Sequence, residues 1–119
     1  MRIDPMRDKI KIFKALSDSK RLRIIKMLEK KPLCVCEITT ILKLATSTVS
    51  KHLYLLREAG LIVDAKEGKW VNYKLNPESN RTDIREILNL LAGWLTDDKE
   101  IVTDREKVRT IDRNKICGF

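Results

Sequence analysis

Two short apolar periodicities with only a tight turn between them constrain this fold more than any other feature of the chain. The first opens near Pro32, which a first helical turn tolerates, and carries Ile38, Ile41 and Leu42 before it stops at Lys43-Leu44-Ala45. The second follows Thr46-Ser47-Thr48, whose hydroxyls suit a helix N-cap. It places Val49, Leu53 and Leu56 at i, i+4 and i+7 before Gly60 as C-cap. Its outer face is rich in Ser, Thr, Lys and Tyr. Two helices in this relation, the second apolar inside and polar outside, predict a helix-turn-helix.

The flanking segments complete a small domain. Upstream, Ile10, Ile12, Phe13 and Leu16 mark one helix, closed at Ser17-Asp18-Ser19. Leu22, Ile24, Ile25, Met27 and Leu28 mark a second, ending near Lys30-Lys31-Pro32. Downstream, residues 61–66 and 70–75 are β-rich runs separated by Glu67-Gly68-Lys69, a hairpin that would form a wing. Beyond Pro77, the residues Ile84, Ile87, Leu88, Leu91, Trp94 and Leu95 recur at near-heptad spacing. So apolar a stripe at the end of so small a domain predicts a dimer seam. The predicted architecture is mainly α with a small β-hairpin, a homodimeric winged helix-turn-helix over residues 1–96. A charged C-terminal extension, residues 97–119, is either a helical continuation or a loose tail.

At 119 residues the chain has room for one core and not two. Of 25 Lys and Arg and 17 Asp and Glu, residues 1–80 hold 17 basic and 9 acidic, so the whole net charge of +8 lies in the first two thirds. A basic body with a neutral end suggests that one part meets a polyanion and the other pairs with a second subunit. No run of about 20 apolar residues could span a bilayer, and the N-terminal residues lack a signal-peptide core, so a cytoplasmic location with no membrane partner is expected.

The thiols carry the remaining chemistry. Cys34 and Cys36 stand one residue apart in Leu33-Cys34-Val35-Cys36-Glu37-Ile38, and Cys117 is the only other cysteine. An odd number in a reducing compartment argues against a disulfide framework and leaves metal binding, redox chemistry or simple burial. On an undistorted helix residues i and i+2 lie about 200° apart, so a chelate through Cys34 and Cys36 would have to remodel the helix start. No histidine stands near the thiols, and the chain has no phosphate-loop arginine or glycine-rich nucleotide loop, so an enzyme is not expected.

These residues resemble the ArsR/SmtB metal-sensing transcriptional repressors. The resemblance is carried by Phe13-Lys14-Ala15-Leu16-Ser17-Asp18-Ser19-Lys20-Arg21-Leu22-Arg23-Ile24-Ile25, by Ser47-Thr48-Val49-Ser50-Lys51-His52-Leu53 and by Leu56-Arg57-Glu58-Ala59-Gly60-Leu61-Ile62. Within that family, Leu33-Cys34-Val35-Cys36-Glu37-Ile38 is similar to the cysteine box of arsenite-responsive members. The resemblance implies trivalent arsenic or antimony as inducer, bound through thiolates, with release from operator DNA and no cofactor needed for DNA binding. A third cysteine often found three residues after the second is Thr39 here. The candidate metal ligands are therefore Cys34, Cys36 and, should the tail fold back, Cys117, with an external thiol or two-sulfur binding as the other routes. The only histidine, His52, falls in the recognition helix, which argues against an aspartate and histidine zinc site.

Ser47, Thr48, Ser50, Lys51, His52 and Tyr54 are the candidate groove-facing residues. Arg57, Lys66, Lys69 and Lys74 are candidate phosphate contacts. The expected partner is double-stranded operator DNA with an imperfect inverted repeat. Two alternatives stand beside this: a thiol-redox, sulfide, cadmium or lead signal on the same fold, and an effector-independent architectural DNA-binding protein.

Overall fold

The computed structural model describes residues 4–117. In chain order its elements are α1 (Pro5–Leu16), α2 (Ser19–Leu28), β1 (Leu33–Cys34), α3 (Val35–Leu42) and α4 (Thr46–Glu58). There follow β2 (Ile62–Glu67), β3 (Trp70–Leu75), α5 (Thr82–Ala92), α6 (Lys99–Thr110) and α7 (Arg113–Ile116). Ile24, Ile25, Leu33, Ile38, Val49, Leu53, Leu56 and Ile84 are buried together, so the predicted inner faces of α2 to α5 meet in one core. On α1 the expected face is corrected: Ile12 and Ala15 are buried and Leu16 packs against the core, while Ile10 and Phe13 are exposed. The helix-turn-helix is α3 and α4, and the wing is β2 and β3.

Local chemistry sets the element ends. Asp4, Asp18 and Asp98 cap α1, α2 and α6 by accepting first-turn backbone N–H groups. Gly60, at φ +89°, lies one residue past the C-cap of α4. There the Gly60 N–H reaches Arg57 O at 2.9 Å and the Leu61 N–H reaches Leu56 O at 3.1 Å, the paired bonds of a Schellman turn. The helix-turn-helix turn passes through Lys43 in the left-handed region at φ 56°. Contrary to expectation, Thr46, Ser47 and Thr48 do not cap α4. The N-cap is Ala45, with no side-chain bond.

Two further expectations are corrected. The third helix starts at Val35 rather than near Pro32. Leu33 and Cys34 instead pair antiparallel with Tyr73 and Asn72 and add a third strand at the outer edge of β3. A two-residue ladder to a strand almost 40 positions away leaves no local pattern in the sequence.

The stripe meant for a dimer seam serves the chain's own core instead. Ile84, Leu88 and Leu91 are buried within this chain, and Ile87 packs against the same core. α5 ends at Ala92, so Trp94 and Leu95 lie beyond it, exposed.

Of the two readings left open for the C-terminal extension, helix or loose tail, the structure shows helix, in α6 and α7. α6 inserts Ile101 and Val108 beneath α2, and the Arg23 guanidinium donates to both carboxylate oxygens of Asp104 at 2.7 and 2.9 Å, both residues buried. That pair holds the Arg23 pKa above its usual value.

On the opposite side, Asp83 accepts from Arg81 at 2.9 Å and from Lys9 at 2.8 Å, which ties α1 to α5. Chiefly the Arg81 bonds hold its carboxyl down to about 2. Since this lies below the unfolded value of about 3.9, the stabilisation is complete above pH 4 and is lost as pH falls from 4 towards 2. Asp83→Asn should therefore lose stability, on the order of 1 kcal/mol, at neutral pH and not at pH 2. Unfolding midpoints measured across that range check the difference.

Candidate thiolate and DNA-binding sites

All three cysteines line one recess of about 370 Å3 beneath the wing, with Val35, Thr46, Lys69, Trp70 and Val71. Cys34 is the N-cap of α3, in extended backbone at φ −88°, ψ 167°. It is therefore already outside the helix, and the remodelling expected from two cysteines on one helix is not required of it. Its N–H donates to Glu37 Oε1 at 3.0 Å, so Glu37 closes a capping box in which sulfur takes the place of the usual hydroxyl. Burial pushes the Cys34 thiol up from its ordinary value.

Cys36 sits in the first turn of α3 and is joined to Cys117 by a disulfide spanning 81 positions, with the Cα atoms 5.8 Å apart. The absence of a disulfide, expected from the cysteine count, is thus overturned. The tail brings its sulfur to the cysteine box. Thr39 donates its hydroxyl to Cys36 O at 2.8 Å. Among the described residues no three His, Cys, Asp or Glu side chains already converge on a metal position. The recess brings Cys34 beside the Cys36 and Cys117 pair without presenting a finished three-sulfur set.

A clasp that sequence patterns did not reveal joins this recess to the wing. Arg113, the first residue of α7, donates to Asn72 Oδ1 at 2.9 Å and Glu67 Oε1 at 2.8 Å. Its guanidinium also lies 4.6 Å from the centroid of the Trp70 ring. Asn72 pairs in turn with Cys34 across the β1–β3 ladder. Cys34 reaches the wing through backbone and Cys117 reaches it through Arg113. Both cysteine-bearing segments are thus linked to the hairpin. Only the spacing of Trp70 and Asn72 on one strand could have hinted at this.

The DNA-facing candidates divide by exposure. Ser47, Thr48, Ser50, Lys51 and Tyr54 are exposed on α4, with Ser47, Lys51 and Tyr54 opposite the buried Val49, Leu53 and Leu56. Because Ala45 caps the helix, the Ser47 and Thr48 hydroxyls are not spent at its start. Lys66 and Lys69 are exposed on the wing, as is Lys74 on β3. Arg57 is held by Asp64 at 3.1 Å and faces the base of the wing.

His52 departs from the expected outward position. It is half-buried against α2, and its Nδ1 lies 3.1 Å from an Arg21 nitrogen. Arginine can only donate, so Nδ1 accepts. Burial pushes the His52 pKa down and leaves the ring neutral. Arg21 also donates to Ala15 O at 2.7 Å and Lys14 O at 3.1 Å. His52 thereby helps to seat α4 on the end of α1.

Comparison with known proteins matches residues 18–63 to the bacterial regulatory protein arsR family. The chain is 39% identical over 108 residues to the arsenical resistance operon repressor of Escherichia coli, covering 88% of this chain and 82% of that one. It is 45% identical over 76 residues to a cadmium resistance transcriptional regulatory protein CadC homolog of Staphylococcus aureus, covering 63% and 62%. Among solved structures, HlyU from Vibrio cholerae superposes with a TM-score of 0.60 at 31% identity, covering 76% of this chain and 94% of that one. The homodimeric winged helix-turn-helix domain of Mb0332 from Mycobacterium bovis shares the fold at 23% identity, with a TM-score of 0.64 and coverage of 77% and 87%.

Proposed function

Since this chain belongs to the arsR family of bacterial regulatory proteins, DNA-binding transcriptional repressors of winged helix-turn-helix fold, we propose that it leaves its operator when trivalent arsenic or antimony binds Cys34, Cys36 and Cys117. The observation that carries this reading is the shared recess: the cysteine sulfurs of β1, α3 and the tail line it together under the wing, two of them joined as a disulfide. Soft thiolates suit a soft trivalent centre. Three thiols displace the three hydroxyls of arsenous acid and release three waters, with no change of oxidation state. The protein competent for this is the reduced one, because the Cys36–Cys117 disulfide has no thiol to offer.

Release follows from the connections of the site. Drawing Cys34 and Cys117 onto one centre pulls β1 against β3 and shifts the Arg113 clasp, so the wing and α4 leave their DNA-competent relation. Reciprocity then requires that operator DNA weaken inducer binding by the same factor. Arsenic X-ray absorption of the reduced protein tests the ligand set. We expect three sulfurs, and two in Cys117→Ser, which should also need more arsenite for release. An unchanged spectrum in Cys117→Ser would remove the tail from the site.

The disulfide itself favours a second reading, in which oxidation is a signal. A peroxide takes two electrons from Cys36 and Cys117, the S–S bond forms, and two waters leave for each peroxide consumed. The architectural alternative has no use for such a thiol recess.

We infer a two-fold partner on a surface that shares only Trp94 with the stripe read in the sequence. Met6, Ile10 and Phe13 on α1 are exposed at 71, 44 and 67%; Leu90 on α5, which lines one recess with Phe13, and Trp94 just past α5 are about half exposed. An apolar patch shared by two neighbouring helices suits a second copy of this chain. Two copies of α4 would then read an imperfect inverted repeat. Phe13→Glu should give a folded monomer with weakened operator affinity by analytical ultracentrifugation and anisotropy. A variant that stays dimeric at micromolar concentration would move the seam elsewhere.

A further inference from the structure

α1 carries a second stripe one residue out of register with its apolar one. Arg7, Lys11 and Lys14 recur at i, i+4 and i+7 and so share one side of the helix. Among the described residues none of the three has a carboxylate within ion-pair distance. Like charges at this spacing repel one another and gain nothing for the isolated helix.

The stripe forms one wall of a groove of about 590 Å3 between α1 and α4, whose other wall includes Tyr54 and Leu55. Arg21 and Leu55 also line the smaller recess that holds Ser47, Thr48 and Lys51 at the start of α4. The two recesses therefore share a wall, and the basic groove continues from the DNA-reading face. Four cations line it against one carboxylate, Glu58.

We propose that this α1 stripe is a second DNA-contacting surface, which holds the phosphate backbone beside the groove entered by α4. From Arg7 to Lys14 the stripe is about 10 Å long, the rise of about three base pairs. A duplex seated on α4 presents phosphates to the continuation of that face, and their charge relieves the repulsion within the stripe. The contact adds affinity without reading sequence. This inference rests on the repressor reading for the placement of α4 on DNA.

The test replaces all three residues together in the full chain (Arg7→Gln, Lys11→Gln, Lys14→Gln) and measures affinity for operator and for an unrelated duplex as salt is varied. Both affinities should fall by a similar factor. The slope of log affinity against log salt should shrink by about 0.9 per lost contact, hence by about 2 to 5 units for a symmetric dimer losing one to three contacts per subunit. An unchanged slope overturns the proposal. Wild-type protein gives an independent readout: Lys11 and Lys14 should be protected from acetylation by duplex DNA, and equal acetylation with and without DNA overturns the proposal as well. Lys51→Ala separates the two levels of the argument. Loss of operator preference in Lys51→Ala, with an unchanged slope in the triple variant, sinks the α1 surface and leaves the repressor reading standing. A wild-type chain with no preference for operator over unrelated duplex sinks both.

Discussion

Cys36→Ser should hold its operator as tightly as the wild-type protein and stay bound when arsenite is added. Serine nearly matches cysteine in size, and the bonds made around Cys36 by Thr39 and Thr40 go to its backbone carbonyl, which the substitution leaves in place. In the reduced protein, where the Cys36–Cys117 bond is open in any case, the fold and the DNA face are therefore retained. The soft sulfur donor is lost, however, and the hydroxyl that replaces it is a hard, poor ligand for trivalent arsenic. An allosteric coupling of about 1–3 kcal/mol weakens operator binding by roughly 5–150-fold, and that whole factor should vanish in the variant. Fluorescence anisotropy with labelled operator, read with and without arsenite, measures it. Full release from Cys36→Ser would show that the box is not the effector site.

Asp104→Ala should cost the most stability of any single substitution on α6. Arg23 keeps a tenth of its side chain in contact with solvent and Asp104 only 2%, and the two meet through two short hydrogen bonds. Truncating the carboxylate strands a buried guanidinium, with Glu100 at 3.5 Å as its remaining ion pair among the described residues. Breaking a buried pair in this way costs about 3–5 kcal/mol, a large part of the roughly 5–15 kcal/mol that holds a domain of this size together. Replacing both partners, as in Arg23→Met with Asp104→Leu, should recover much of the loss, because no charge is then left buried. Urea unfolding of the three variants checks the order. A loss below about 1 kcal/mol for Asp104→Ala would mean that water reaches Arg23.

Much of this architecture was legible in the sequence where a local period coincides with burial. Val49, Leu53 and Leu56 mark the inner face of α4, and Gly60 sits where the turn after it needs a left-handed residue. The wing followed from two β-rich runs around a single glycine. What escaped depends on partners remote in sequence. Ile84, Leu88 and Leu91 show that a stripe exists, but whether it faces the chain's own core or a second copy depends on how α5 packs. Asp104 and Arg113 read as members of a charged tail, because a charge looks the same whether its partner is water or an arginine 81 positions away. The cysteine box was plain from spacing, and Cys117 could be named as a candidate. Its junction with Cys36, and the clasp of Arg113 on Glu67, Trp70 and Asn72, arise from where α6 delivers the chain. His52 misled because a recognition-helix position does not say which way its ring turns.

One titration tests the central claim most directly: release of labelled operator from the fully reduced full-length chain by arsenite, antimonite, cadmium, zinc and peroxide, side by side. The account predicts release by arsenite and antimonite at stoichiometric occupancy of one site per chain, and no release by zinc. Release by zinc or by peroxide alone, with the operator still held at saturating arsenite, would contradict it.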